Sequence, residues 1–115
     1  MTLPDSITTI TEVDLGPEPS FEILPAPITL RLKDYFLARD NQGVYRLLWT
    51  RCPHMWGVII KWDNCFMCPD HGWRFELNEG ICVNGPNARM EFVPVVARDG
   101  HLFAQLPGYR ARPRP

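Results

Sequence analysis

The stretch Arg51-Cys-Pro-His-Met-Trp-Gly57, followed by Cys68-Pro-Asp-His-Gly-Trp-Arg-Phe75, decides how the rest of the chain is read. It holds Cys52-x-His54 and, after thirteen intervening residues, Cys68-x-x-His71. Two thiols and two imidazoles therefore arrive as matched pairs, each with a glycine close behind (Gly57, Gly72). Soft sulfur and nitrogen donors suit iron–sulfur chemistry or zinc, and not Mg²⁺ or Ca²⁺, which take hard oxygen ligands. The order within each pair carries further information. A [2Fe–2S] centre in which two histidines replace two cysteines on one iron needs one ligand for each iron from each loop. A Cys-x-His loop facing a Cys-x-x-His loop provides that.

Cys52-Pro53-His54, Cys68-Pro69-Asp70-His71-Gly72-Trp73 and the later Gly85-Pro86 resemble the Rieske iron–sulfur proteins, in particular the soluble ferredoxins and the Rieske domains of ring-hydroxylating oxygenases. The resemblance runs from about Tyr35 to about Leu106. The interval between His54 and Cys68 is shorter than is usual in that family, and Met55 and Trp56 stand where a basic residue and glycine are more common. The resemblance implies an all-β Rieske fold of small antiparallel sheets, with a cluster-binding subdomain of two hairpin loops. It further implies one [2Fe–2S] cluster, with Cys52 and Cys68 on the inner iron and His54 and His71 on the outer. Gly72 would let the backbone approach the cluster closely, and Gly85-Pro86 matches the family's proline loop. High-potential members carry a disulfide between the ligand loops, a serine two residues after the second histidine and a tyrosine four after it. Here those positions hold Asp70, Trp73 and Phe75. Fewer hydrogen bonds to sulfur leave the reduced cluster less stabilised, which places the potential at the low end of the Rieske range, roughly −150 mV.

Zinc is the competing reading, since Cys₂His₂ is an ordinary zinc set and Cys65-x-x-Cys68 has the spacing of a zinc knuckle. A Cys-x-His half with one spacer is tight for such a site. Cys65 is expected as a buried thiol on the strand entering the second loop, and Cys82 as a small apolar core residue. A Cys65–Cys82 disulfide is the alternative, disfavoured in a reducing compartment.

The 115 residues bound the chain to one domain, and 45% hydrophobic with 11% aromatic residues indicates a folded one. A net charge of −1 gives no reason to expect nucleic acid or a membrane surface as partner. The N-terminus shows no basic and apolar leader and no run reaches a membrane span, so the expectation is a cytoplasmic protein. Residues 1–27 carry Asp5, Glu12, Asp14, Glu18 and Glu22, five prolines and no Lys or Arg. They are expected as an irregular acidic arm, followed by the Rieske domain over 28–106 (cluster-binding part about 50–86) and a mobile Arg/Pro tail over 107–115.

Short β-type runs with Gly/Asx turns fill the middle. Strands are expected at Ile28–Leu32, Tyr35–Arg39, Val44–Thr50, Val58–Trp62, Cys65–Met67, Trp73–Leu77, Ile81–Val83, Glu91–Val96 and His101–Gln105. The stretch Thr29–Arg39 also reads as a short helix. Pro94 is expected to push its run towards an edge strand. Trp49 is expected in the core, whereas Trp56, at the first loop's tip, reads either as core or as a docking residue.

Three histidines are present, and two are spent on the cluster, so His101 alone cannot build a second iron site of two histidines and a carboxylate. No glycine-rich dinucleotide fingerprint is present. The expected role is therefore that of a one-electron carrier, not an enzyme. It would take electrons from a flavin-dependent reductase, pass them to an oxygenase or similar acceptor, and have no small-molecule substrate of its own. The alternatives are a detached Rieske subunit of a larger oxidoreductase and, further off, a redox sensor or a zinc-stabilised interaction module.

Overall fold

Two consecutive left-handed residues, Arg31 (φ 52°) and Leu32 (φ 67°), decide the stretch that reads as either helix or strand. Positive φ at both central positions makes the tight turn whose twist matches a hairpin, and a helix cannot pass through it. In the computed structural model, which describes residues 10–53, 57–70, 72–85 and 87–107, this turn joins the second and third of nine strands. The strands are β1 (Ile10–Pro17), β2 (Ala26–Leu30), β3 (Lys33–Arg39), β4 (Tyr45–Trp49), β5 (Ile60–Trp62), β6 (Cys65–Cys68), β7 (Trp73–Phe75), β8 (Phe92–Arg98) and β9 (His101–Pro107). One turn of 3-10 helix, Glu18–Phe21, follows β1. No helix among the described residues is long and apolar enough to cross a membrane.

The strands form a six-stranded antiparallel sheet in the order β1-β9-β8-β4-β3-β2 and a three-stranded sheet β5-β6-β7. The large sheet is the platform, and β3 and β4 explain why the small one sits on it. Side chains alternate across a strand, yet both strands are apolar at successive positions. Tyr35, Leu37, Tyr45 and Leu47 point into one core, which β8 and β9 complete with Val95, Leu102 and Ala104. Ala38 and Leu48 point to the other side, where Ile59, Phe66, Phe75, Met90, Cys52 and Cys68 cover them. Full burial of a Leu or Phe side chain contributes about 1.5–3 kcal/mol. The second core is thus what fastens the small sheet to the large one.

The irregular arm expected over 1–27 is corrected from Ile10 onward. Ile10–Pro17 is an edge strand paired with β9, with a bulge between Asp14 and Gly16. Its inward side chains Val13 and Leu15 pack on the first core. Its acidic residues are cross-strand partners: Glu12 accepts hydrogen bonds from both guanidinium nitrogens of Arg98 (3.1 and 2.6 Å) and from Gln105 (2.8 Å), and Asp14 pairs with His101 (2.9 Å). The composition that suggested an arm without a core is neutralised by side chains some ninety residues away in the chain. Residues 1–9 and the tail beyond Pro107 lie outside the described residues.

Pro94 also departs from expectation, because β8 lies inside the sheet between β4 and β9. Pro94 faces Arg46, and Trp49 N–H bonds to Glu91 C=O. Alternation along an antiparallel pair then leaves Pro94 in a non-hydrogen-bonded position towards β4. On its other side the β8–β9 register begins only at Val95. Its missing N–H therefore faces β9, and the β8–β9 ladder stops beside it instead of the strand lying at a sheet edge. The strand expected at Ile81–Val83 is reduced to two isolated bridges, Phe75–Cys82 and Ile81–Arg89.

Candidate metal centre

The first ligand loop grows from the end of β4. Thr50, a buried polar residue, holds it down: its N–H and its hydroxyl both donate to Asp34 C=O (3.1 and 3.0 Å). Ile59 N–H then bonds to Thr50 C=O (2.6 Å), Arg51 bridges Val58, and Cys52 N–H bonds to Gly57 C=O (2.8 Å). These rungs close the loop between residues 52 and 57. His54, Met55 and Trp56 lie outside the described residues, so the docking role considered for Trp56 does too.

The second loop is the connection between β6 and β7. Cys68 pairs with Trp73, and Gly72 N–H returns to Cys68 C=O (2.8 Å). Gly72 is left-handed (φ 73°), which a residue with a side chain adopts only at a cost. His71 lies outside the described residues. The two remaining sequence-expected ligands come together: Cys52 is 2% exposed and Cys68 0%, and both belong to the core cluster beneath the small sheet. Gly57 marks how closely the loops approach. A Cβ on it would lie 2.9 Å from Cys68 Sγ and 2.5 Å from Asp70 Oδ2. Two buried soft donors in one core cluster, one from each loop, with a glycine where the first loop passes the second cysteine, are a donor set that fits an iron–sulfur group held between the loops.

None of the four cysteines forms a disulfide. Alternation along β6 turns Phe66 and Cys68 inward and leaves Cys65 and Met67 half-exposed. The expectation of a buried Cys65 is therefore corrected. Cys65 and Cys68, three apart on a strand, face opposite sides, which also breaks the zinc-knuckle reading of that pair. Cys82 is half-buried against the same core, near the point where a Gly85 Cβ would meet its sulfur at 3.3 Å. Trp49 is half-buried on the first core, with Lys33 and Arg51 stacked on its ring at 4.7 and 5.3 Å.

A third segment, residues 80–90, closes over the second loop. Glu76 organises its turn by accepting from Asn78 N–H (2.9 Å) and Glu79 N–H (2.6 Å), and Met90 N–H bonds to Gly80 C=O (2.8 Å). Its tip carries Asn84, whose amide donates to Gly72 C=O (2.9 Å) and accepts from Arg74 N–H (2.7 Å). Gly85 lies against Trp73, with a virtual Cβ 3.5 Å from the indole. Sequence reasoning took Gly85-Pro86 for the family's proline loop and missed this contact of Asn84. Nothing in the local pattern links residue 84 to residues 72 and 74.

The family model described as the Rieske [2Fe-2S] domain matches residues 11–105. A cholesterol 7-desaturase of Caenorhabditis elegans is 28% identical over 81 residues, which is 58% of this chain and 19% of that protein. The chain spans less than a fifth of the length of the curated relatives it matches. Among solved structures, the complex between oxygenase and ferredoxin in carbazole 1,9a-dioxygenase contains a chain matching 93% of this one with TM-score 0.62 and 17% identity, over 31% of its own length. A protein described as the small subunit of an NADPH nitrite reductase matches 82% of this chain and 97% of its own, with TM-score 0.54 and 15% identity. At such identities the structures speak for the fold alone, and it is the same fold of antiparallel sheets carrying paired loops. With the family's model spanning both sheets and all three loops, the chain belongs to the Rieske [2Fe-2S] domain family, whose cluster is held by two cysteines and two histidines.

Proposed function

We propose that this chain is a one-electron transfer unit in which Cys52 and Cys68 hold the inner iron of the cluster and His54 and His71 the outer. The observation that carries the reading is the pair of buried thiols, Cys52 and Cys68, meeting in one core cluster with Gly57 pressed against Cys68. A bound [2Fe–2S] group supplies reversible one-electron chemistry. The protein's part is to hold the thiolates in an apolar floor and to carry the two loops whose sequences supply the histidines. Phe66 and Phe75, both fully buried, and Ile59 form that floor. Electron exchange is outer-sphere, through brief contacts with a flavin-dependent reductase as donor and an oxygenase or similar enzyme as acceptor.

The remaining histidine, His101, is on β9 in the large sheet and pairs with Asp14. It belongs to a cross-strand contact away from the ligand loops, and oxygen activation is assigned to the acceptor. A cytoplasmic location goes with this reading, supported by four cysteines outside any disulfide.

The test is the electron paramagnetic resonance spectrum of anaerobic, dithionite-reduced protein, with single cysteine variants alongside. The expected result is a rhombic signal of low average g, abolished in Cys52→Ser and Cys68→Ser and retained in Cys65→Ser and Cys82→Ser. A signal of all-cysteine type, or stoichiometric zinc with no signal, would sink the assignment. A second reading, the Rieske subunit of a larger oxidoreductase, is favoured by the nitrite reductase small subunit, 97% of which aligns with this chain. Co-elution with a partner at nanomolar concentration would select the subunit over the transient carrier.

A further inference from the structure

Asn84 sits where strand pairing gives way to loop. Val83 N–H donates to Arg74 C=O (2.9 Å), and after Asn84 the chain departs through Gly85. On an extended strand the C=O of one residue and the N–H two residues on point to the same side. For Gly72 C=O and Arg74 N–H, that side would ordinarily be answered by the N–H and C=O of a neighbouring strand. Here both are answered by one side chain: Asn84 Nδ2 donates to Gly72 C=O (2.9 Å) and Asn84 Oδ1 accepts from Arg74 N–H (2.7 Å). The Cys82 thiol makes a further weak contact to the same Oδ1 (3.9 Å). Because one partner only donates and the other only accepts, the orientation of the amide is settled by the contacts themselves.

We propose that Asn84 is a positioning residue for the second ligand loop. Its carboxamide takes the place of a peptide group, clamping the backbone on both sides of Trp73 and fixing the exit of the loop that leaves β6 at Cys68. The inference rests on the reading of His71 as a ligand. Gly72 follows His71 directly and, lacking a side chain, brings wide conformational freedom to the point where the loop must be held. Cys68 C=O restrains Gly72 through its N–H, and Asn84 restrains it through its C=O. The two bonds pull on opposite ends of the same residue. Gly85, packed against Trp73 and Cys82 at 3.5 and 3.3 Å from a virtual Cβ, keeps the tip of the third segment close enough for the amide to reach. The clamp therefore needs both the short side chain at 84 and the absent one at 85.

Asn84→Ala removes both bonds. Asn84→Asp keeps the bond from Arg74 N–H but sets an oxygen against Gly72 C=O, so the variants separate the two halves. Val83→Ala, at an exposed neighbour on the same segment, is the control. Three readouts are taken on the cluster-loaded protein: amide hydrogen exchange at Arg74, the linewidths of the reduced resonance signal, and the rate of iron release to a chelator. For Asn84→Ala, exchange at Arg74 is expected about tenfold faster, with broadened g-values and faster iron release, because the loop samples more geometries. Asn84→Asp should keep Arg74 protected while still releasing iron faster. A folded Asn84→Ala protein that takes up no cluster, beside a normally loading Val83→Ala, also supports the clamp. If Asn84→Ala does not fold, Asn84→Asp decides. Wild-type linewidths and release rates in the variants that load would overturn the proposal. A wild-type protein lacking the histidine-ligated signal would instead overturn the functional reading, leaving Arg74 exchange to judge the clamp by itself.

Discussion

Gly57 and Cys68 meet so closely that a single added carbon would lie 2.9 Å from the Cys68 sulfur, and 2.5 Å from a carboxylate oxygen of Asp70. The space beside Gly57 by itself demands glycine here. Asp70 is exposed and can swing away; the buried sulfur cannot. Gly57→Ala should therefore push the loops apart. Overpacking of this kind costs about 1–3 kcal/mol, and the expected result is a folded protein with much reduced iron and sulfide content. Full cluster occupancy in Gly57→Ala would show that the loops yield more readily than the packing suggests.

Trp73 and Phe75 occupy the positions where high-potential relatives place hydroxyl groups. Phe75 is fully buried in the core with Cys52 and Cys68, and Trp73 is half-buried against it. Neither offers an oxygen to sulfur, so the midpoint potential should fall at roughly −150 mV. Phe75→Tyr, which adds a hydroxyl to the core that contains both cysteines, should raise it. Redox titration on an electrode checks both. A wild-type midpoint above 0 mV would contradict the argument from missing donors.

Glu12 ties β1 to its neighbours and sets an acid limit on that edge. Hydrogen bonds from Arg98 and then Gln105 hold its carboxyl pKa down at about 2, and the bonds from His101 and Gly16 N–H lower that of Asp14. A carboxylate whose folded pKa lies below its unfolded one stabilises the fold fully above the unfolded value, near 4.5 for Glu12, and gives that up as pH falls towards 2. Glu12→Gln should melt lower than wild type at pH 7 and converge with it near pH 2. Both partners are solvent-exposed, so the difference should be small and should shrink with added salt. Melting curves across that range at two salt concentrations are sufficient.

Phe66 joins the two sheets. It is fully buried, with its ring 5.0 Å from that of Phe36 on β3. Phe66→Ala should cost about 3–5 kcal/mol. Because Phe66 shares its core with Cys52 and Cys68, the cluster should be lost at lower denaturant than in wild type. Monitoring visible absorbance and far-ultraviolet circular dichroism on one denaturant titration tests this. Unchanged cluster retention in that variant would mean the small sheet does not depend on this core for its attachment.

Much of the architecture is written locally. Alternating apolar runs marked the strands at Ile28, Tyr35, Val44, Trp73 and His101, and Asp99-Gly100 and Asp63-Asn64 marked turns, because side-chain period and turn conformation are properties of a few adjacent residues. The cysteine and histidine spacing was legible for the same reason: a ligand loop is short, and its donors must lie close together in sequence.

What the chain could not disclose locally was decided by partners far along it. Glu12 and Asp14 read as features of an irregular acidic arm until Arg98 and His101 were placed across from them. Pro94 read as an edge marker until the strand order placed β8 between β4 and β9, with the β8–β9 ladder ending beside the proline. Asn84 carried no role in the sequence until Gly72 and Arg74 were placed beside it. The sequence alone marked most of the extended segments, their turns and the donors proposed for iron, since those follow from neighbouring residues. Only the tertiary structure decided the strand order, the membership of β1 and the anchoring of the ligand loops, since hydrogen bonds and charge pairs between distant residues leave no periodic trace in composition.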